Sequence, residues 1–402
     1  MLQNPARSMP YEPYGKLFLR FLRFGFLAWG GPVAQIAMIR QELVEEEKWV
    51  PPEHFNRVLA VYQVLPGPEA HELCVYFGML AGGRLGGLLA GLGFMLPGFV
   101  LMFALSWFYV TFGLTSPLFN AVFLGFQPAV AALIVRAVHR IGGHALHHNR
   151  WLWGLAILAG LAEWLGVSFF LTLLVSGAVY LLARHRAYLP AGALAVILLA
   201  GILVWFFAFP STHTVVAAAA APSAPPSPPS LPALFGYGLR SGLLTFGGAY
   251  TVIPFLRQDA VIAGAWLTDQ QFLDGIALSG ILPAPLIIFS TFVGYLGGGP
   301  LGALALTVGI FLPAFAFTLI GHQYVERLVT NQSVHTFLDG VTAGVIGLIA
   351  ITALKISATA LTNLPSLAIF ALALLLLFRW KARTTVVWVV LGAGLLGLVL
   401  FR

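Results

Sequence analysis

Residues 29–50, WGGPVAQIAMIRQELVEEEKWV, are echoed by residues 246–267, FGGAYTVIPFLRQDAVIAGAWL. A shift of 217 positions brings Gly30-Gly31 onto Gly247-Gly248, Arg40-Gln41 onto Arg257-Gln258, Trp49 onto Trp266 and Phe55 onto Phe272. It also brings Leu65-Pro66 onto Leu282-Pro283 and Pro68 onto Pro285. After a one-residue slip, Gly78, Gly86 and Pro97 meet Gly294, Gly302 and Pro313. The matches fall on Gly, Pro, Trp and Arg, which do not replace one another freely, so the chain is a duplication. A period this long excludes solenoids and propellers.

The medium follows from composition. Of the 402 residues, 59% are hydrophobic and 9% charged, against an apolar share of roughly 45–50% in soluble domains. The sequence therefore predicts an all-α polytopic membrane protein, since a spanning helix needs about 20 mostly apolar residues. Apolar runs at 17–39, 55–83, 86–112, 118–141, 151–165 and 168–183 form the first set, a run at 190–209 follows, and 233–256, 271–297, 300–321, 335–356, 364–379 and 384–401 form the second. Thirteen crossings are expected, one for each run. The domains are then an N-terminal transport repeat at 1–189, a linking helix with an Ala/Pro/Ser linker at 190–232, and a C-terminal repeat at 233–402. Residues 1–15 lack an apolar core and a cleavage site, so no removable signal peptide is expected.

Charge sets the expected orientation. With the N-terminus inside, Arg7, Lys16, Arg20, Arg23, Arg84, Arg136, Arg140, Arg150, Arg184, Arg186, Arg257, Arg327, Arg379, Lys381 and Arg383 are cytoplasmic. Arg40, Lys48, Arg57, Arg240, Lys355, Arg402 and the acidic run Glu45-Glu46-Glu47 are outside, as is the C-terminus. The odd number of crossings between equivalent points inverts the second copy. Inverted repeats with interrupted helices point to a secondary transporter with a site at mid-membrane. The net charge of +7 is spread over the ends of apolar runs rather than gathered in a patch, so nucleic acid is not an expected partner.

The interruptions are where chemistry is expected. Gly30-Gly31-Pro32 and Gly247-Gly248 let backbone amides approach a solute, with close packing through small residues as the competing reading. Pro66-Gly67-Pro68 and Pro283-Ala284-Pro285 break a helix in each copy and expose a helix N-terminus suited to an anion; a plain kink competes. Arg40 and Arg257 follow the Gly motifs by ten positions, as electropositive mouths or as interfacial arginines paired with Glu42 or Asp259. Glu69 and Glu72 have no acidic counterpart in the second copy, where Leu286 and Phe289 stand. They are proton-coupling candidates together with His71, and helix capping competes. Arg57 aligns with Asp274, which allows a salt bridge across the axis or plain solvation. Trp49 and Trp266 read as interfacial anchors. His139, His144, His147 and His148 lie with Arg140 and Arg150 in an expected cytoplasmic loop, for which a solvated basic loop suffices over a metal site. Cys74 is the single cysteine, which excludes an intrachain disulfide. No nucleotide loop, nucleophile elbow or metalloprotease motif is present, so neither an enzyme nor an ATP-driven pump is expected, and no cofactor or metal. A passive anion channel is the alternative to a transporter.

The stretches FGFLAWGGPVAQIAMIRQELVEEEKWV and YQVLPGPEAHELCVYFGML, with LLTFGGAYTVIPFLRQDAVIAGAWLT and the Pro283-centred segment that follows, resemble the long, two-domain members of the chromate ion transporter family. The resemblance covers nearly the whole chain. It implies a thirteen-span inner-membrane protein that exports chromate using the proton-motive force, with sulfate as a competing or exchanged anion. Its motif positions are Gly30, Gly31, Pro32, Arg40, Pro66, Gly67, Pro68, Gly247, Gly248, Arg257, Pro283 and Pro285. The expected partners are chromate and sulfate-like oxyanions, protons and the lipid bilayer, with a homodimer as the assembly to test. Trp29, His71-Glu72 and Ala284 depart from the family pattern, which bears on substrate preference and coupling.

Overall fold

The computed structural model describes residues 12–113, 116–146, 149–197, 228–246, 248–321, 331–380, 382 and 384–401. Every regular element among them is helical. The first series is α1 (Tyr14–Phe26), α2 (Gly31–Ile39), α3 (Pro52–Val64), α4 (Glu69–Phe108), α5 (Pro117–Ala145), α6 (Arg150–Trp164) and α7 (Phe169–Arg184). After α8 (Tyr188–Ile197) comes the second: α9 (Leu231–Leu243), α10 (Ile253–Arg257), α11 (Asp269–Gly280), α12 (Phe289–Leu319), α13 (Gln332–Ala360), α14 (Leu364–Arg379) and α15 (Thr385–Leu400). Residues 198–227, with most of the expected linker, lie outside the described residues.

The two series match in backbone detail. α2 and α10 each run on into a π-helical turn, Arg40–Glu46 and Gln258–Ala263. α4 breaks at Gly82 (φ −148°, ψ 24°) and Gly83 (φ 62°, ψ −159°), and α12 breaks at Gly298 (φ −156°, ψ 24°) and Gly299 (φ 62°, ψ −153°). At each break the chain folds back on itself. A Cβ on Gly78 would stand 2.5 Å from the Gly86 carbonyl oxygen, and Gly294 meets Gly302 in the same way. Such close approach of backbones is how helices associate where lipid supplies no hydrophobic drive.

The runs 17–39 and 55–83 are not crossings, which corrects the sequence reading. Each goes in and comes back. Arg20 of α1 pairs with Glu12 at 2.6 Å, with Glu42 at 3.1 Å and with Glu47 at 2.6 Å, so the π turn after α2 returns to the end where α1 began. Arg23 also pairs with Glu42. Likewise His54 of α3 is hydrogen-bonded to Tyr76 at 2.7 Å and Phe55 stacks on Phe77, so α3 and the first arm of α4 are antiparallel about Pro66-Gly67-Pro68. At 13 residues, α1 is about 20 Å long, short of the roughly 30 Å hydrocarbon layer. Hydropathy counts apolar residues and is blind to the reversal at Gly30 and Gly31.

Four helical stretches are long and apolar enough to cross a membrane: Glu69–Gly113, Pro117–Gly143, Leu286–Leu319 and Gln332–Ala360. α7, α8, α14 and α15 are shorter apolar helices. Two reversals per repeat leave the parity of the later helices intact. They do move Arg40, Lys48, Arg57 and the acidic run to the Arg20 end. In the second copy Arg240 pairs with Asp259, so Arg257 joins Arg240 at the far end. Counted by Lys and Arg alone, the regrouping strengthens the asymmetry between the ends.

The copies meet as inverted partners do. A Cβ on Gly87 would lie 2.6 Å from Leu319, and Gly91 faces Phe315, so the long arm of α4 and its equivalent in α12 run antiparallel. Gly67 packs on Ala314 and Ala284 packs on Gly98, a reciprocal pair of contacts. The repeats also exchange their last helices: α5 packs on α14 and α15, and α13 packs on α6 and α7. Trp49 and Trp266 are built into this frame rather than standing as anchors. Trp49 is buried, donates to Glu47 at 2.8 Å and abuts Phe77, while Trp266 donates to the Val293 carbonyl at 3.3 Å.

Candidate functional site

The α1–α2 reversal needs Gly30 (φ 91°) and Gly31 (φ 78°), a left-handed pair that only glycine adopts without strain. Around Gly31 a Cβ would touch nothing, so the requirement is the backbone itself. Gln35 braces the turn by donating to the Ala28 carbonyl at 2.9 Å. The first turn of α2 has no side-chain cap, which leaves its amides available to an anion. In the second copy Gly248 (φ 112°) holds the equivalent turn, and Gly247 lies outside the described residues.

The two reversals line neighbouring cavities. One cavity is lined by Gly30, Gly31, Arg136, Arg140, Tyr250 and Ala284, among others. A second, of about 670 Å³, is lined by Pro32, Glu69, Arg140, Gly248, Tyr250 and Asp339, among others. That size suits a small ligand. Arg140 and Tyr250 belong to both. The Gly turn of each copy, the Ala284 loop of the second and the helix start after Pro68 of the first thus converge on the same pair of side chains. Ala382 and Asn149, in the two linings, lie at the end of α5 nearest Arg140, so both cavities reach toward the Arg20 end.

Arg136 and Arg140 were missed as site residues by the sequence reading, which counted both among the cytoplasmic charges and grouped Arg140 with four histidines in a basic loop. They are instead on α5, one turn apart and on one face. Neither forms an ion pair with another described residue. The second copy differs, since Lys355, at the position equivalent to Arg140, pairs with Glu163 at 3.3 Å. Two guanidiniums spaced by four within an apolar run were the available signal. His139 lies on α5 against Phe378, and His147 and His148 lie outside the described residues. Among the described residues no three His, Cys, Asp or Glu gather as a metal site.

Arg40 and Arg257 are not brought to the Gly turns. Arg40 is exposed, pairs with Glu45 at 3.0 Å and sits over Phe55. Arg257 is buried and forks onto Asp269 at 2.7 and 3.0 Å. Each pins a returning arm near the start of α3 or α11. The sequence proposed Glu42 and Asp259 as their partners, but these carboxylates pair across the hairpin with Arg20, Arg23 and Arg240.

Pro66, Gly67 and Pro68 form a sharp reversal. The Gly67 amide (φ 154°) donates to the Thr245 carbonyl of the other copy at 2.9 Å. A Cβ there would press on the Glu72 carboxylate at 3.0 Å, whereas Ala284, between Pro283 and Pro285, has an ordinary backbone and packs on Gly98. Glu69 is half-buried at the cavity wall, within the field of Arg140. Glu72 is fully buried, with neither oxygen hydrogen-bonded to a described residue. The His71 ring is wedged edge-on against Phe311 and Phe315. Arg57 and Asp274 do not meet. Arg57 is exposed, and Asp274 is buried with Tyr109 and Gln127.

Comparisons with known proteins identify the family. The sequence profile of the chromate transporter family matches residues 15–223 and 232–398. A chromate transport protein of Pseudomonas aeruginosa is 55% identical over 98% of this chain and 94% of its own. One of Cupriavidus metallidurans is 30% identical over 98% of this chain and 95% of its own. An uncharacterized transporter of Bacillus subtilis is 30% identical over 37% of this chain and 74% of its own, so that relative is the size of one repeat. No solved structure matches. The chain belongs to the chromate transporter family.

Proposed function

We propose that this protein exports chromate across the inner membrane in exchange for protons, with the N-terminus in the cytoplasm and the C-terminus outside. The observation that carries the reading is the pair Arg136 and Arg140, free of ion pairs among the described residues and facing cavities framed by Gly turns from both copies. A tetrahedral dianion is served by two guanidinium forks and by the uncapped amides at Gly31. Tyr250 supplies a hydroxyl beside them. Sulfate has the same shape and charge, so it competes for the same groups.

The cavities reach toward the Arg20 end, whose excess of Lys and Arg supports a cytoplasmic location. Rocking of one inverted copy against the other would close that mouth and open the equivalent path at the far end. Glu69 is poised to link anion and proton, because its carboxylate lies at the cavity wall within the field of Arg140. Glu72 and His71, just behind it, form the proton's buried surroundings.

Everted membrane vesicles from a host producing the protein test this reading. Acidifying their interior should drive chromate accumulation that sulfate suppresses and a protonophore abolishes. Accumulation confined to right-side-out vesicles would make the protein a sulfate or oxyanion importer. Flux indifferent to the proton gradient and without saturation would make it a passive channel.

A further inference from the structure

Four carboxylates are buried among the described residues: Glu12, Glu72, Asp259 and Asp274. Glu12 and Asp259 are matched by Arg20 and Arg240, and Glu72 lies behind Glu69 at the site above. Asp274 is different. Its Oδ2 accepts a hydrogen bond from the Tyr109 hydroxyl at 2.8 Å, and its Oδ1 accepts one from the Gln127 amide at 3.1 Å. Both donors are neutral, and both come from the first copy, whereas Asp274 comes from the second.

The location is the half of the molecule away from the arginine cavities. α4 leaves the Arg20 end after Gly83, where Gly82 abuts Tyr14, and Tyr109 lies some 25 residues further on, about 38 Å along a helix. Gln127 stands nine residues before Arg136 on α5, about 14 Å further from the cavity mouth. The triad therefore lies between the arginine site and the far end. Aromatic rings surround it: Tyr109 meets Phe123 edge-on at 5.0 Å and Phe292 at 4.9 Å. α4, α5, α12, α13 and α15 all pack against α11. Among the described residues, the titratable group they bring to Asp274 is the Tyr109 phenol, and the remaining interacting side chain is the amide of Gln127.

This arrangement satisfies the carboxyl group in either charge state. Ionised, it accepts from both donors. Protonated, its O–H can donate to the phenol oxygen, which has lone pairs to spare, while the Gln127 amide still donates to the other oxygen. A guanidinium partner would hold the group ionised, and an unpartnered site would leave it unsatisfied. The equivalent position in the first copy is the exposed Arg57, so only one such site exists per chain among the described residues.

We propose that Asp274 is a proton-binding site in the half away from the arginine cavity, loaded from the compartment opposite that cavity. Its part in coupling rests on the export reading above; its binding of a proton does not. Because the triad ties α11 of one copy to α4 and α5 of the other, arrival of a proton reverses the Tyr109 hydrogen bond and removes a charge from the contact between them.

Infrared difference spectra of the purified full-length protein in lipid, taken between alkaline and acid pH, read the site directly. The wild type should gain a carboxylic acid carbonyl band that Asp274→Asn removes and that Tyr109→Phe shifts in frequency and midpoint. In liposomes, the ratio of gradient-driven to gradient-free sulfate-sensitive chromate exchange should fall to one in Asp274→Asn and stay at the wild-type value in the exposed control Glu53→Gln. Survival of the full band in Asp274→Asn, or an unshifted band in Tyr109→Phe, overturns the proposal, and Tyr109→Phe alone decides it if the Asn variant does not fold. An Asp274-dependent band in a protein that moves no anion would sink the export reading and leave the proton site standing.

Discussion

Replacing Arg140 by Gln separates the structural account from the one the motifs alone give. Arg140 lines both cavities and acts on Glu69 and Tyr250, so the variant removes one of two cationic forks from the anion. Hydrogen bonds to charged groups contribute about 1.5–3 kcal/mol each. At about 1.4 kcal/mol per factor of ten, the half-saturation concentration for chromate should rise roughly 10- to 150-fold. Glu69 would then face the anion unneutralised, which pushes the value toward the upper end. Arg140→Lys keeps the charge and loses the fork, so its loss should be intermediate. Arg40→Gln breaks an exposed pair with Glu45, worth about 0–1 kcal/mol of stability, and should leave half-saturation unchanged. The assay is initial chromate flux against concentration in liposomes holding equal amounts of each protein. If Arg40→Gln weakens the anion as much as Arg140→Gln, or Arg140→Gln changes nothing, the arginine site is misassigned.

Three further outcomes follow from other contacts. Gly98→Ala drives a methyl into Ala284 and should cost about 1–3 kcal/mol; pairing it with Ala284→Gly should recover most of the lost melting temperature in detergent. Glu69→Gln should flatten the pH dependence of chromate flux more than Glu72→Gln does, because Glu69 alone lies at the cavity wall; equal profiles would reduce Glu69 to a helix-capping acid. For Glu12, burial acts to raise the carboxyl, but hydrogen bonds and charge from Arg20, helped by Lys16, outweigh it and hold it below the usual carboxylate range. A lowered folded value stabilises above the unfolded value of about 4 and is lost as pH falls through the folded one, so Glu12→Gln should lower the melting temperature at neutral pH and converge with wild type in acid.

How far the sequence carried is clearest where it stopped. The shift of 217 positions read at Gly30, Arg40 and Trp49 marks the repeat, and α1 and α9 begin and end in matching register. Hydropathy found the apolar runs, yet it made one crossing of α1 and α2, because the left-handed turn at Gly30-Gly31 leaves no trace in a sum of side-chain polarity. That single reversal decides on which end Arg40, Lys48 and Arg57 lie. The partners of Arg40 and Arg257 were misjudged for a related reason: the π turns after α2 and α10 change which carboxylate comes around. Arg140 was hidden by its neighbours, since histidines and Arg150 made the stretch look like a loop, although α5 continues to Ala145; Arg136 was counted only as a cytoplasmic charge at the end of an apolar run. The substitution of Ala284 for Gly, which stood out as a departure from the family, follows from backbone angles: Gly67 has a positive φ and Ala284 does not.

The central claim, that two arginines of α5 hold an oxyanion which the protein carries across the membrane, has a direct test in the purified wild-type protein and an Arg136→Gln/Arg140→Gln variant, each reconstituted alone in liposomes. Chromate flux in the wild type should saturate, respond to a pH gradient and be suppressed by sulfate, and the double variant should fall to the level of empty liposomes. Wild-type flux no greater than that of empty liposomes, or a double variant as active as wild type, would contradict the account.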